Sequence, residues 1–267
     1  MYLGRGTRIA LRVVTGVILA AVYVPLVVVM VNSFNTDRAF GWPPSGFTLT
    51  WWSRAAHNAG ALAGLRSSVL VGLLATAIAL VLGTLAAMSL QRYRFFGRDA
   101  VSLLVILPIA LPGVVTGIAL NAAFRNLFGQ LSLLTLIIGH ATFCVVVVYN
   151  NVLARLRRTP GHFMEASADL GAGPWQTFRY VTFPLIRSAL LAGGLLAFAL
   201  SFDEIIVTTF TAGGNQTLPI WIFANISRPN QLPIVNAVAL FVILLSFIPV
   251  YLAQRISSDV VSVTPRR

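Results

Sequence analysis

The sequence predicts an all-α integral membrane protein with six transmembrane helices, and three observations carry that prediction. Of the 267 residues, 57% are hydrophobic and 10% charged, whereas soluble domains carry about 25% charged residues. Five uncharged apolar stretches, 13–31, 69–90, 101–124, 131–149 and 234–253, match the roughly 20 residues a helix needs to cross the hydrocarbon core. A sixth, 188–210, is apolar except for Asp203 and Glu204 near its end. Third, the 19 basic residues lie outside these stretches. Lipid admits only helices and closed barrels, because every backbone polar group must be paired internally. The alternating ten-residue segments of a barrel are absent.

The first stretch, 13–31, is too long for the apolar part of a secretory signal and lacks a small-residue cleavage site, so it reads as a retained span. Trp42, Trp51 and Trp52 follow it in the segment 32–67, where they suit the headgroup belt. The second stretch, 69–90, is uninterrupted. The third holds Pro108 and Pro112, each of which removes a backbone donor and is expected to bend or unwind the helix. Such a kink lines a pathway in some transporters and serves only packing elsewhere; both readings stand. Within the fourth, His140 is either a hydrogen-bonded packing residue or a proton relay. Asn121 and Asn150 are expected to bond between helices. Cys144, the single cysteine, reads as a packing residue and excludes an internal disulfide or a cysteine-cluster metal site.

The loop 155–187 is the most polar stretch of the second half. Thr159 is placed to cap a helix with Pro160 at its first position. Phe163, Ala166 and Leu170 recur at helical spacing, and Gly171 stops the helix by accepting a left-handed conformation. Pro174 opens a second short helix with Trp175, Phe178 and Val181 on one face, and Phe183-Pro184 is expected to break it. The product is a helix–turn–helix hairpin.

In the fifth stretch Asp203 lies about 22 Å along a helix begun at Ser188, at roughly 1.5 Å per residue. An ionised carboxylate facing lipid there is costly, so the acid either faces a cavity or marks a wetted helix end. Two adjacent helical residues point about 100° apart, which argues against one shared site for Asp203 and Glu204. Beyond it, Thr217 is placed to cap a short helix with Pro219 in its first turn. The sixth stretch, 234–253, completes the set.

Arginine placement orients the chain. Fourteen arginines (Arg5, Arg8, Arg12, Arg92, Arg94, Arg98, Arg155, Arg157, Arg158, Arg179, Arg187, Arg255, Arg266, Arg267) fall on one side. Arg38, Arg54, Arg66, Arg125 and Arg228 make five on the other. The richer side is cytoplasmic by the positive-inside rule, so both termini are expected there, with 155–187.

Every basic residue is Arg. Without Lys the chain can form neither a phosphate-binding P-loop nor a Schiff base. Nucleic-acid binding wants a solvated basic face, and here the arginines sit between apolar runs. No span carries an Arg series, which disfavours a voltage sensor. A six-span intramembrane protease would need a Ser–His dyad, but G-x-S-G and H-E-x-x-H are absent. A secondary transporter would usually show an internal repeat or intramembrane charge pairs.

Glu165-Ala166-Ser167, three residues, Gly171, nine residues and Val181-Thr182-Phe183-Pro184 resemble the E-A-A motif of ATP-binding-cassette importer permeases. That motif reads E-A-A, three residues, G, nine residues, I-x-L-P; Ser167, Val181 and Phe183 depart from it mildly and keep the spacing. Leu107-Pro108 with Pro112 through Leu120, Ser201-Phe202-Asp203-Glu204, and Thr217-Leu218-Pro219-Ile220 are similar to spermidine/putrescine-type permeases. The resemblance implies a single permease domain over 1–267, a type I importer bundle with a cytoplasmic coupling helix, in the bacterial inner membrane. It implies that Glu165, Ala166, Ser167, Asp169, Gly171 and Pro184 meet an ATPase subunit, so that ATP is hydrolysed elsewhere and no cofactor is held. A second permease, expected to be a paralogue, would be wrapped by the first span, and an extracytoplasmic solute-binding protein would deliver a small organic cation such as putrescine or spermidine. Ser201, Phe202, Asp203 and Glu204 become candidates for the translocation pathway.

Overall fold

The computed structural model describes residues 4–38, 42–93, 95–160, 162–228 and 230–261, with side-chain surroundings up to 247. Arg94, Arg266, Arg267 and the side chain of Arg255, counted above, lie outside them. Among the described residues, regular structure is helical apart from one isolated antiparallel bridge, Asn35–Phe47. In chain order the helices are α1 (Arg5–Phe34), α2 (Thr50–Ala56), α3 (Ala59–Arg92), α4 (Arg98–Ala110), α5 (Gly113–Phe128), α6 (Leu133–Arg157), α7 (His162–Asp169) and α8 (Pro174–Thr177). A π-helical turn (Phe178–Thr182) leads into α9 (Phe183–Phe202), followed by α10 (Ile206–Thr211), α11 (Leu218–Asn225) and α12 (Leu232–Val261).

Among the described residues, four helical runs are long and apolar enough to cross a membrane: α1, α3, α6 and the continuous run Pro174–Phe202. Helices α4 and α5 qualify together, but they meet at a bend of 106°. Two of the expected stretches are therefore not single rods. The third breaks at Leu111-Pro112, where Leu111 is extended at φ −83° and ψ 148°. The proline ring excludes the α conformation from the residue before it. Pro108, by contrast, sits inside α4 without ending it. The fifth ends at Phe202 instead of running to 210, and α10 resumes after a break at 203–205.

Two compact units divide the chain. In the unit of residues 63–220, α6 is the centre: Leu136, His140, Val146, Val148, Tyr149 and Val152 are fully buried. Helix α3 approaches through small residues, with Ala75, Ala79 and Ala87 buried. A Cβ on Gly83 would lie 2.8 Å from the Val145 carbonyl oxygen, so only glycine admits that contact. Helix α9 does the same through Gly193, Gly194 and Ala197. Small residues at such seams let backbones pack closely where lipid removes the usual hydrophobic drive between helices. Cys144 is buried here and donates to the Ala197 carbonyl at 3.3 Å. Asn150 is exposed, and the interhelical bond expected of it is not among the described contacts.

In the unit of residues 4–62 and 221–247 the three tryptophans have different surroundings. Trp42 is exposed, but Trp51 is buried and donates its indole N–H to the Asn35 carbonyl at 2.7 Å. Trp52 stacks on Phe34 with ring centroids 5.4 Å apart. These two rings close the corner between α1 and α2, Trp51 through its bonded indole and Trp52 through ring stacking. Most of α1 is exposed along its apolar length.

Candidate functional site

The hairpin at 162–183 is built by its glycine corner. Helix α7 ends at Asp169, and Gly171 takes φ +78°. Its N–H bonds the Ala168 carbonyl at 2.9 Å while Ala172 N–H bonds Ser167 at 3.1 Å, the paired bonds of a Schellman stop. The Ser167 and Thr177 hydroxyls, 3.0 Å apart, tie α7 to α8. Ser167 is thus a buried internal brace, while Glu165, Ala166, Asp169, Gly171 and Pro184 are exposed. So are large apolar side chains: Leu170 is 88% exposed, Trp175 68% and Tyr180 72%, and Phe163 and Phe183 are also exposed.

Two local expectations fail here. Thr159 does not cap α7; its hydroxyl donates back to the Arg155 carbonyl at 3.0 Å, finishing α6. Nor does Phe183-Pro184 break the chain. Phe183 N–H reaches the Phe178 carbonyl five residues back, and that π turn admits Pro184 at the start of α9. The π turn shifts the bonding register by one residue, so the run tolerates the missing proline donor without breaking. Arg155 Nε donates to the Leu185 carbonyl at 2.8 Å and fastens this junction to α6.

At the break between α9 and α10 the two acids separate. Glu204 is half-buried, and its Oε1 accepts the Val207 N–H at 2.9 Å, supplying one of the orphan amides that open α10. Asp203 terminates α9 at φ −96° and ψ 2°, and its carboxylate is exposed. Phe202 is half-buried, its ring 5.9 Å from that of Phe198. Ser201 is 3% exposed and lies 2.7 Å from His140 Nδ1; His140 Nε2 lies 2.9 Å from the Thr208 hydroxyl. Histidine, 1% exposed, bridges the helices on either side of the break.

A Ser–His pair at 2.7 Å has the spacing of a nucleophile and its base. Both groups are buried, however, and the second ring nitrogen faces a threonine where a dyad would be oriented by an acid. The pair is a cross-link inside the core.

The far end of α10 is held as firmly. Asn121 Nδ2 donates to the Phe210 carbonyl at 2.6 Å, and Thr135 Oγ1 donates to Thr211 at 2.8 Å. A Cβ on Gly117 of α5 would meet the Phe210 ring at 2.5 Å. Each broken helix thus packs its second half, α5 or α10, against the other. Thr135 and Thr208 were invisible as site residues in the sequence; the sole trace was Thr208 four residues after Glu204, the spacing at which its hydroxyl reaches the Glu204 carbonyl at 2.6 Å. Thr217 does not cap α11: its hydroxyl is buried without a partner, and Leu218 N–H bonds Ser68 Oγ at 2.9 Å.

A family described as "Binding-protein-dependent transport system inner membrane component" matches residues 79–262. The spermidine/putrescine transport system permease protein PotC of Escherichia coli strain K12 is 34% identical over 243 residues, 91% of each chain. The putrescine transport system permease protein PotI of the same strain is 31% identical over 246 residues, 87% of this chain and 86% of that one. Among solved structures, a bacterial ABC transporter involved in import of the acidic polysaccharide alginate superposes with a TM-score of 0.74 at 17% identity. That likeness covers 97% of this chain and 99% of that one and concerns the fold.

Proposed function

Since this chain belongs to the binding-protein-dependent transport system inner membrane components, we propose that it is the permease subunit of an ATP-binding-cassette importer for a small organic cation of the polyamine class. The observation that carries this reading is the likeness to PotC and PotI across about nine-tenths of the chain. The hairpin supports it from the physical side. Exposed aromatic and aliphatic groups on a braced, sharply cornered protrusion suit a protein partner better than water. That partner is the ATPase subunit, which engages the surface around Glu165, Ala166, Asp169, Gly171 and Pro184, with Ser167 holding the corner from within.

The working assembly comprises this chain, a second permease (a paralogue), ATPase subunits, and an extracytoplasmic binding protein that supplies most of the selectivity. The six apolar stretches of the sequence support six spans, and the fourteen-to-five arginine partition supports cytoplasmic termini. Nucleotide-driven closure of the ATPases moves the hairpins, and the permease pair alternates between inward- and outward-facing forms. Asp203, exposed beside a broken helix, attracts the cation; discontinuous helices are where transporters place such groups. Glu204 is spent on α10.

Co-purification of the assembled complex tests the docking surface. Glu165→Ala is expected to weaken capture of the ATPase subunit and Gly171→Pro to abolish it, with the permease still in the membrane. Full capture and full uptake by both variants would overturn the reading.

A further inference from the structure

We infer that His140 is the positioning residue of the 203–205 break, acting through a relay of directed hydrogen bonds that fixes where the Asp203 carboxylate stands. This rests on the reading that Asp203 meets the cation.

The shortest contact assigns the direction of the relay. Thr208 has one hydroxyl proton, and it goes to the Glu204 carbonyl at 2.6 Å. With that proton on the Glu204 carbonyl, the shorter of the two Thr208 contacts, the Thr208 oxygen accepts from His140 Nε2–H at 2.9 Å. A neutral imidazole with its proton on Nε2 has an acceptor at Nδ1, which takes the Ser201 hydroxyl proton at 2.7 Å. The chain reads Ser201 to His140 to Thr208 to the Glu204 carbonyl, each donor spent once. Its two ends stand on either side of Asp203: Ser201 on the last turn of α9, Glu204 immediately after the acid.

Nothing in the local sequence keeps 203–205 out of the helix, since Asp, Glu and Ile are compatible with one and no proline or glycine intervenes. The irregular backbone is held by side-chain bonds, one set from α6 and one from the Glu204 cap. Histidine suits the task because it is rigid, offers a donor and an acceptor on opposite sides of one ring, and is anchored in α6, the most buried helix of the unit. The Glu204 carboxylate, bonded to Val207 N–H, secures the same segment from the other direction.

The test is uptake of spermidine by the full importer in vesicles, with KM and maximal rate read separately. His140→Ala and Asp203→Asn are each expected to raise KM about tenfold with assembly and maximal rate kept, the pattern of a lost binding contact. Combined, they are expected to raise it no further than Asp203→Asn alone. His140→Gln, whose amide both accepts and donates, is expected to restore KM to within about threefold of the parent. Should His140→Ala fail to assemble, Thr208→Val, which keeps the shape and removes the relay's far end, is expected to show the same KM rise. Multiplying effects in the double variant, or a fall in maximal rate and assembly with KM unchanged, would overturn the relay and leave the pathway reading intact. Asp203→Asn with an unaltered KM would overturn both.

Discussion

Among single residues, the neighbouring acids Asp203 and Glu204 divide most sharply. Glu204 gives its carboxylate to Val207 N–H and its carbonyl to Thr208. Glu204→Gln keeps an acceptor oxygen and is expected to leave uptake kinetics near the parent, whereas Glu204→Ala loses a cap worth about 1 kcal/mol and is expected to lower the thermal midpoint of the purified permease. Asp203→Asn has the reverse signature: unchanged melting and weakened apparent affinity. The acid pair was legible as a break in an apolar run. Its division of labour was not, because hydropathy does not register where a helix stops, and the residue that bridges the break, His140, lies 61 residues from Ser201 and 68 from Thr208. His140 was readable as a bonded packing residue, though not as one joined to Ser201 and Thr208.

Helices and turns were legible where local chemistry decides them. Gly171 marked its corner, Pro174 its helix start, and Pro112 its break, since each acts on its own backbone or its immediate neighbour. Alanine at Gly171 must adopt φ +78°, which costs an L-residue about 1–2 kcal/mol. Gly171→Ala is therefore expected to reduce ATPase capture measurably but less than Gly171→Pro, scored by co-purification from the same membranes. Pro112→Ala returns the α conformation to Leu111. Spin labels at Leu103 and Leu127 are expected to move apart as the 106° bend opens, and an unchanged distance would mean that packing of α5 on α10 alone maintains it. Misreadings arose where a residue had two outlets. Thr159 could serve the helix after it or the one before, and it bonds Arg155; Pro184 could break a helix or be carried through one, and the π turn made the second possible.

For the molecule as a whole, composition and arginine partition were enough to name an α-helical membrane protein. Interior packing was not readable, because Gly and Ala at helix seams look like any apolar residue in a hydropathy scan. Gly83→Val sets a side chain against the Val145 carbonyl; overpacking of this kind costs about 1–3 kcal/mol, so a lower melting temperature and poorer membrane yield are expected. Orientation has a direct measurement. Cys144 is buried, so introduced thiols report alone. Leu170→Cys is expected to react with an impermeant maleimide only from the cytoplasmic face, and Trp42→Cys only from outside. The opposite pattern would invert the arginine argument.

The π turn at Phe178–Thr182 has a mechanical corollary. Because it splices α8 to α9 without a loop, residues 174–202 form one shaft of 29 residues, about 43 Å at 1.5 Å per residue. Torque or thrust delivered at Trp175 has no slack joint in which to dissipate before Phe202. The first compliant point on that line of force is the irregular segment holding Asp203, so on the proposed reading mechanical work entering at one end would be released beside the acid assigned to the cation.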